Sequence, residues 1–132
     1  MSEKELVKEI IEKFKERIEA AELLLKDKKF EDSVSRSYYA LFDAVRGLLE
    51  LEKITAKSHR GAITKFHQHF IKTGIFDIKT SKTIARLIKL REEADYTFQT
   101  EISKAEAETA FKDTKKFLMA VENYLNKNYL NK

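Results

Sequence analysis

The sequence predicts an all-α fold: a five-helix bundle, up-and-down-like, with three long helices and a shorter pair between them. Three observations carry this expectation. The 132 residues contain no proline, so no obligate helix breaker interrupts the chain. Apolar residues recur at alternating steps of three and four, the period of one helix face. Glycine occurs at three positions only, Gly47, Gly61 and Gly74, and the last of these follows the end of an apolar stripe, where a left-handed stop belongs.

The elements follow in order. Val7, Ile11, Phe14, Ile18, Ala21 and Leu25 mark a first helix from about Glu3 to Lys26. Asp27-Lys28-Lys29 reads as a tight connection, and so short a link places neighbouring helices antiparallel. Val34, Tyr38, Leu41, Val45 and Leu48 give a second helix from about Phe30 to Leu51. In the third, Ser58 is the N-cap, His59, Ile63, Phe66 and Phe70 share a face, and Gly74 is the stop. Ile75 to Lys79 is a connector. Thr80 or Ser81 then caps a fourth helix with Ile84, Ile88, Arg91 and Asp95 on one stripe. Ser103-Lys104-Ala105-Glu106 is a capping box that opens the fifth, whose broad apolar face includes Ala107, Phe111, Phe117, Val121 and Leu125. A chain of this length forms one domain, residues 1–132, without staples.

Composition removes several function classes. The absence of cysteine excludes disulfide scaffolds, thiol catalysis, zinc fingers and iron–sulfur clusters. Three scattered glycines cannot build a phosphate-cradling GxGxxG or GxxxxGK[ST] loop. No apolar run approaches about 18 residues, and the N-terminus lacks the apolar core of a signal peptide, so a cytoplasmic protein without a membrane span is expected.

Charge is unevenly distributed. Between residues 53 and 91 lie ten basic residues (Lys53, Lys57, Arg60, Lys65, Lys72, Lys79, Lys82, Arg86, Lys89 and Arg91) and one acidic residue, Asp77. The flanking segments are neutral or acidic. Such a segment attracts polyanions although the whole chain carries only +4, and it also fits a solvated helix face with basic loops.

Metal chemistry is not expected. His67 and His69, two apart, point in opposing directions on a helix, and no H-x-x-x-H or E-x-x-H occurs. Arg60 and His67 share a helix face, seven apart, but read as an accidental pairing. Two polar sets interrupt apolar faces instead. Arg91 and Asp95 continue the stripe of Ile84 and Ile88, either as an i,i+4 ion pair or as a guanidinium fork aimed into a groove, beside the phenol of Tyr96. On the second helix, Tyr38 falls on the apolar stripe, with its hydroxyl tethered, whereas Arg36 and Tyr39 fall off it and can reach a groove edge.

These residues carry a resemblance. Ser35-Arg36-Ser37-Tyr38-Tyr39-Ala40-Leu41-Phe42-Asp43-Ala44 resembles the R-x-YYA-x-F-x-A helix of the HEPN family (higher eukaryotes and prokaryotes nucleotide-binding domains). Ser58-His59-Arg60-Gly61 is similar to that family's T/S-H-x-G element, and Leu90-Arg91-Glu92-Glu93-Ala94-Asp95-Tyr96 to its R-x-x-A-D-Y variant. The three occur in family order. The resemblance implies a helical bundle, commonly a homodimer, whose polar residues from helices two and four meet in a cleft at the dimer interface. It also implies either a metal-independent endoribonuclease with an Arg-x4–6-His motif or a partner of a minimal nucleotidyltransferase in a toxin–antitoxin pair. Asp95 and Tyr96 stand where the motif histidine would be. A carboxylate does not readily run the acid–base cycle of a neutral imidazole near pH 7, so ribonuclease activity is not favoured here.

The candidate nucleotide- or nucleic-acid-binding residues are Arg36, Tyr39, His59, Arg60, Arg91, Asp95 and Tyr96, with Arg91 and Asp95 as candidates for catalysis. The expected function is a HEPN-type binding or regulatory subunit acting with a nucleotidyltransferase partner or on nucleic acid or nucleotide. The alternatives are a metal-independent endoribonuclease and a helical protein-interaction module. No metal and no cofactor are expected. A homodimer is expected, both from the resemblance and from apolar residues beyond one stripe per helix, namely Leu6, Ile10, Leu23, Leu24, Phe42, Leu49 and Leu118.

Overall fold

A computed structural model describes residues 1–96 and 101–131, apart from the side chains of Ala94 and Tyr96. Five α-helices run in the expected order: α1 (Glu3–Lys26), α2 (Phe30–Leu51), α3 (His59–Phe66), α4 (Lys79–Tyr96) and α5 (Lys104–Leu125). The described residues contain no strand, and the all-α bundle is observed. Among them no helix is long and apolar enough to cross a membrane.

Helix α2 is the central element. Thirteen of its 22 residues are buried, because it packs against α1, α3, α4 and α5 in turn. Its pairing with α1 begins at the connection: Lys28 adopts a positive φ of 61°, and the Lys29 amide donates to the Leu24 carbonyl at 2.9 Å. Just beyond, the buried Ser33 hydroxyl donates to the Ala21 carbonyl at 2.8 Å and fastens the start of α2 to the last turns of α1. Near the other end, Gly47 permits close approach. A Cβ there would lie 2.6 Å from Ile10 Cγ2, inside any real contact distance. The expected capping box of α5 is present, with Ser103 Oγ accepting from the Glu106 amide and Glu106 returning the bond to the Ser103 amide.

The structure corrects three details. The α-helical part of α3 ends at Phe66, and His67–Ile71 forms a wider π turn closed by the Lys72 amide on the His67 carbonyl. The extra residue per turn brings both Phe70 and Ile71 inside, where Phe66, Phe70, Phe76, Phe117 and Tyr124 pack ring against ring. Gly74, with φ +82°, stops the segment as expected. A second π turn, Asn126–Leu130, continues α5.

The second correction concerns the start of α4. Neither Thr80 nor Ser81 caps it; the Asp77 carboxylate accepts the Lys79 amide at 2.8 Å instead. A negative charge at a helix N-terminus gains from the dipole as well as from the bond, which a hydroxyl does not. Third, the buried face of α4 is Ile84, Leu87 and Leu90, with Ile88 and Arg91 at its edge and Asp95 outside. The polar residues thus border the core rather than continue it.

The apolar surplus expected to cover a dimer interface is largely consumed within one chain. Ile10, Phe42, Leu49 and Leu118 are buried in the core and Leu6 packs against it, while Leu23 is 67% exposed.

Candidate functional site

Helices α2 and α4 bring Tyr38, Tyr39 and Arg91 together at the edge of the core. Successive helical positions lie about 100° apart, so Tyr38 turns into the core while Tyr39 stands at its margin. Arg91 enters from α4 and spans both rings. Its Cζ lies 4.6 Å from the Tyr38 ring centroid and 5.1 Å from that of Tyr39, and its Nη2 donates to the Tyr39 hydroxyl at 2.8 Å. The two tyrosine rings meet edge to face at 5.4 Å.

The Arg91 Nε–Asp95 Oδ2 separation is 3.6 Å, an ion pair too long for a hydrogen bond, with side-chain exposures of 25% and 41%. Of the two sequence readings of this pair, the orientation of the fork is therefore set chiefly by Tyr39. Burial works against the charge of Arg91, but the Tyr39 hydrogen bond and attraction from Tyr39, Tyr38 and Asp95 outweigh it, and the pKa stands above the ordinary arginine value. Burial likewise raises the Tyr38 phenol, and Arg91 only partly opposes it. Both groups keep a single charge state across physiological pH.

His59 joins the same cluster from α3. Its ring stacks on Phe42 with centroids 4.2 Å apart, and Phe42 in turn stacks under Tyr38 at 6.0 Å. His59 Nδ1 lies 3.5 Å from the Tyr38 hydroxyl, which is the expected tether in a long form. The result is a stacked column, Arg91–Tyr38–Phe42–His59, built from three helices. Ser58 supports it by capping α3, its Oγ accepting the Gly61 amide at 2.9 Å.

Arg36 is exposed and lines a cavity of about 530 Å³ with Tyr39, Ser35, Asp32, Leu24 and Arg17. Arg17, on α1, is a residue the sequence reading missed. It pairs with Asp43 through Nε and brings a second guanidinium to 5.7 Å from the Tyr39 ring. The available signal was its position three residues after Phe14 on the buried stripe. Arg60 is exposed on α3 and makes no ion pair among the described residues. His67 is exposed in the π turn. The side chain of Tyr96 lies outside the described residues. Among the described residues, no group of three or more His, Asp or Glu side chains could hold a metal ion.

Comparison with known proteins matches the chain to a family. The HEPN domain family matches residues 7–124, which include every helix that builds the column. The chain belongs to the HEPN domain family. Two proteins of Methanocaldococcus jannaschii, each named "Putative toxin", are similar to this HEPN chain. One is 35% identical over 94% of this chain and 85% of its own length, the other 33% over 71% and 70%. A Thermotoga maritima protein named "UPF0332 protein" is 32% identical over 92% of this chain and 93% of its own.

Proposed function

We propose that this HEPN protein is a binding or regulatory member of a toxin–antitoxin-like pair, and that it takes a phosphate group of a nucleotide or nucleic acid at Arg91. The observation that carries this reading is the state of the Arg91 fork. A guanidinium has five N–H donors, and among the described residues only one is spent in a hydrogen bond, on Tyr39. The side chain is a quarter exposed, held flat by two rings, and already oriented, which is the arrangement a charge-assisted phosphate contact exploits. The names of the two similar M. jannaschii proteins support the toxin–antitoxin context. A minimal nucleotidyltransferase as partner, and pairing of two copies of this chain around the cleft, complete the proposal.

Binding of a fluorescent single-stranded oligonucleotide tests it. Arg91→Ala should weaken binding at least about tenfold, the loss of one charge-assisted contact of about 1.5–3 kcal/mol. Unchanged affinity in that variant would remove the reading. Incubation with RNA in EDTA should leave the RNA intact, because Asp95 replaces the motif histidine. Light scattering at tens of micromolar should give twice the chain mass.

A further inference from the structure

A second opening lies along the same face of α2, toward its C-terminal end. It is a cavity of about 530 Å³ between α2, the connection to α3 and the first turn of α3, with Phe42 and Leu49 in its wall. This volume falls in the range that holds a small ligand. One side is His59. Its imidazole stacks on buried Phe42 and lies 3.5 Å from the Tyr38 hydroxyl, yet the residue is exposed and lines the cavity.

Three cations, Arg46, Lys53 and Lys57, line the cavity. None of them makes an ion pair among the described residues, although Glu50 also lines the space. A fixed planar ring beside unpaired cations suits a ligand that is itself a planar ring carrying negative charge. Base–aromatic stacking with a cationic groove along the backbone is how unpaired nucleotides are held. Paired bases do not expose that face.

We propose that this cleft is a subsite for one unpaired nucleotide, its base stacked on the face of His59 turned away from Phe42 and its phosphate met by Arg46, Lys53 and Lys57. The proposal rests on the reading of Arg91 as a phosphate contact and deepens it. Tyr39 and Arg46 are seven residues apart on α2, about 10 Å along the axis at 1.5 Å per residue. A short single strand spans that distance, so its neighbouring phosphate reaches Arg91. A free nucleotide fills the His59 subsite alone.

The test uses the full chain, a 5′-fluorescein oligoadenylate tetramer read by anisotropy, and AMP as competitor. His59→Ala should weaken tetramer binding about tenfold, within the range of one lost base stack. His59→Phe keeps a ring and should bind within about twofold of the parent protein. Lys53 has a positive φ of 57°, so it is changed to Asn, which tolerates that conformation. Lys53→Asn with Lys57→Gln should weaken binding and lower the steepness of its salt dependence, as lost phosphate contacts require. Melting curves establish that each variant is folded. Tetramer binding much tighter than AMP supports a strand as the source of the nucleotide, and equal affinities support the free nucleotide.

Tetramer binding that is unchanged in His59→Ala and in the lysine pair, but lost in Arg91→Ala, overturns the subsite and leaves the Arg91 reading standing. Binding of AMP lost in His59→Ala but retained in Arg91→Ala supports the subsite, and tetramer binding that also stays unchanged in Arg91→Ala removes the Arg91 reading. No binding of either probe to the parent protein at about millimolar concentration overturns both.

Discussion

Replacing Arg91 by alanine separates its structural role from its availability to a ligand. The structure permits the stability cost to be assembled. The bond from Nη2 to the Tyr39 hydroxyl contributes about 1 kcal/mol. Stacking over the two tyrosine rings adds about 0.5–1 kcal/mol at a partly exposed position. The Asp95 pair adds little, because Asp95 is 41% exposed at 3.6 Å and such pairs contribute about 0–1 kcal/mol. Arg91→Ala should therefore cost about 2 kcal/mol, a fall in melting temperature of about 6 °C for a domain of this size. Asp95→Ala should cost less than about 0.5 kcal/mol. Tyr39→Phe, which removes the acceptor and keeps the ring, should cost about 1 kcal/mol. Urea denaturation of the singles and doubles then gives two couplings: about 1 kcal/mol between Arg91 and Tyr39, and close to zero between Arg91 and Asp95. If Asp95→Ala proves as damaging as Arg91→Ala, at about 3–5 kcal/mol with rescue in the double variant, the pair is a buried structural unit and the reasoning fails.

Gly47→Ala should destabilise by about 1–2 kcal/mol, since overpacking against Ile10 exceeds the gain in helix propensity, and adding Ile10→Ala should cost less than the two singles together, as calorimetry would register. Burial raises the phenols of Tyr38, Tyr124 and Tyr129, and Glu52 adds to the last two, most of all to Tyr129, whose hydroxyl donates to Glu52 Oε1 at 2.7 Å. Their folded-state values exceed the unfolded value near 10, so this contribution to stability is complete below about pH 10 and is lost as pH rises above it. Tyr129→Phe should flatten part of that alkaline loss in denaturant titrations and remove one tyrosine's share of the phenolate absorbance that accompanies alkaline unfolding. Asp77→Ala should cost about 1 kcal/mol through loss of the α4 cap, whereas Thr80→Ala should not, a comparison that thermal melts decide.

Much of the fold was legible because local signals agreed. The bounds of α1 and α2 follow from unbroken stripes with a three-residue link, and the start of α5 from Ser103 and Glu106. The π turn at His67 was not legible, because a stripe argument assumes 3.6 residues per turn throughout. Asp77 escaped as the cap of α4 because apolar Ile78 stands between it and the helix. For the site, the motif residues Tyr38, Tyr39 and Arg91 could be named in advance, but not their pairing. Spacing within α4 nominates Asp95 as the partner of Arg91; that Tyr39 takes that place depends on how α4 docks against α2, which no single-helix pattern contains. Arg17 was missed for the same reason, since its relation to Tyr39 exists only between helices.

The short link between α1 and α2 has a consequence for the newborn chain. Closing so small a loop costs little entropy, and contacts near in sequence form before distant ones. Helix α2 is therefore laid against α1 early, whereas Arg91 reaches Tyr39 from 52 positions downstream. At about 5–20 residues per second, a ribosome needs about 3–10 s to make the intervening stretch. Throughout that interval the growing polypeptide carries its two tyrosine rings without the guanidinium that spans them, and the cluster exists only once α4 has been made and docked.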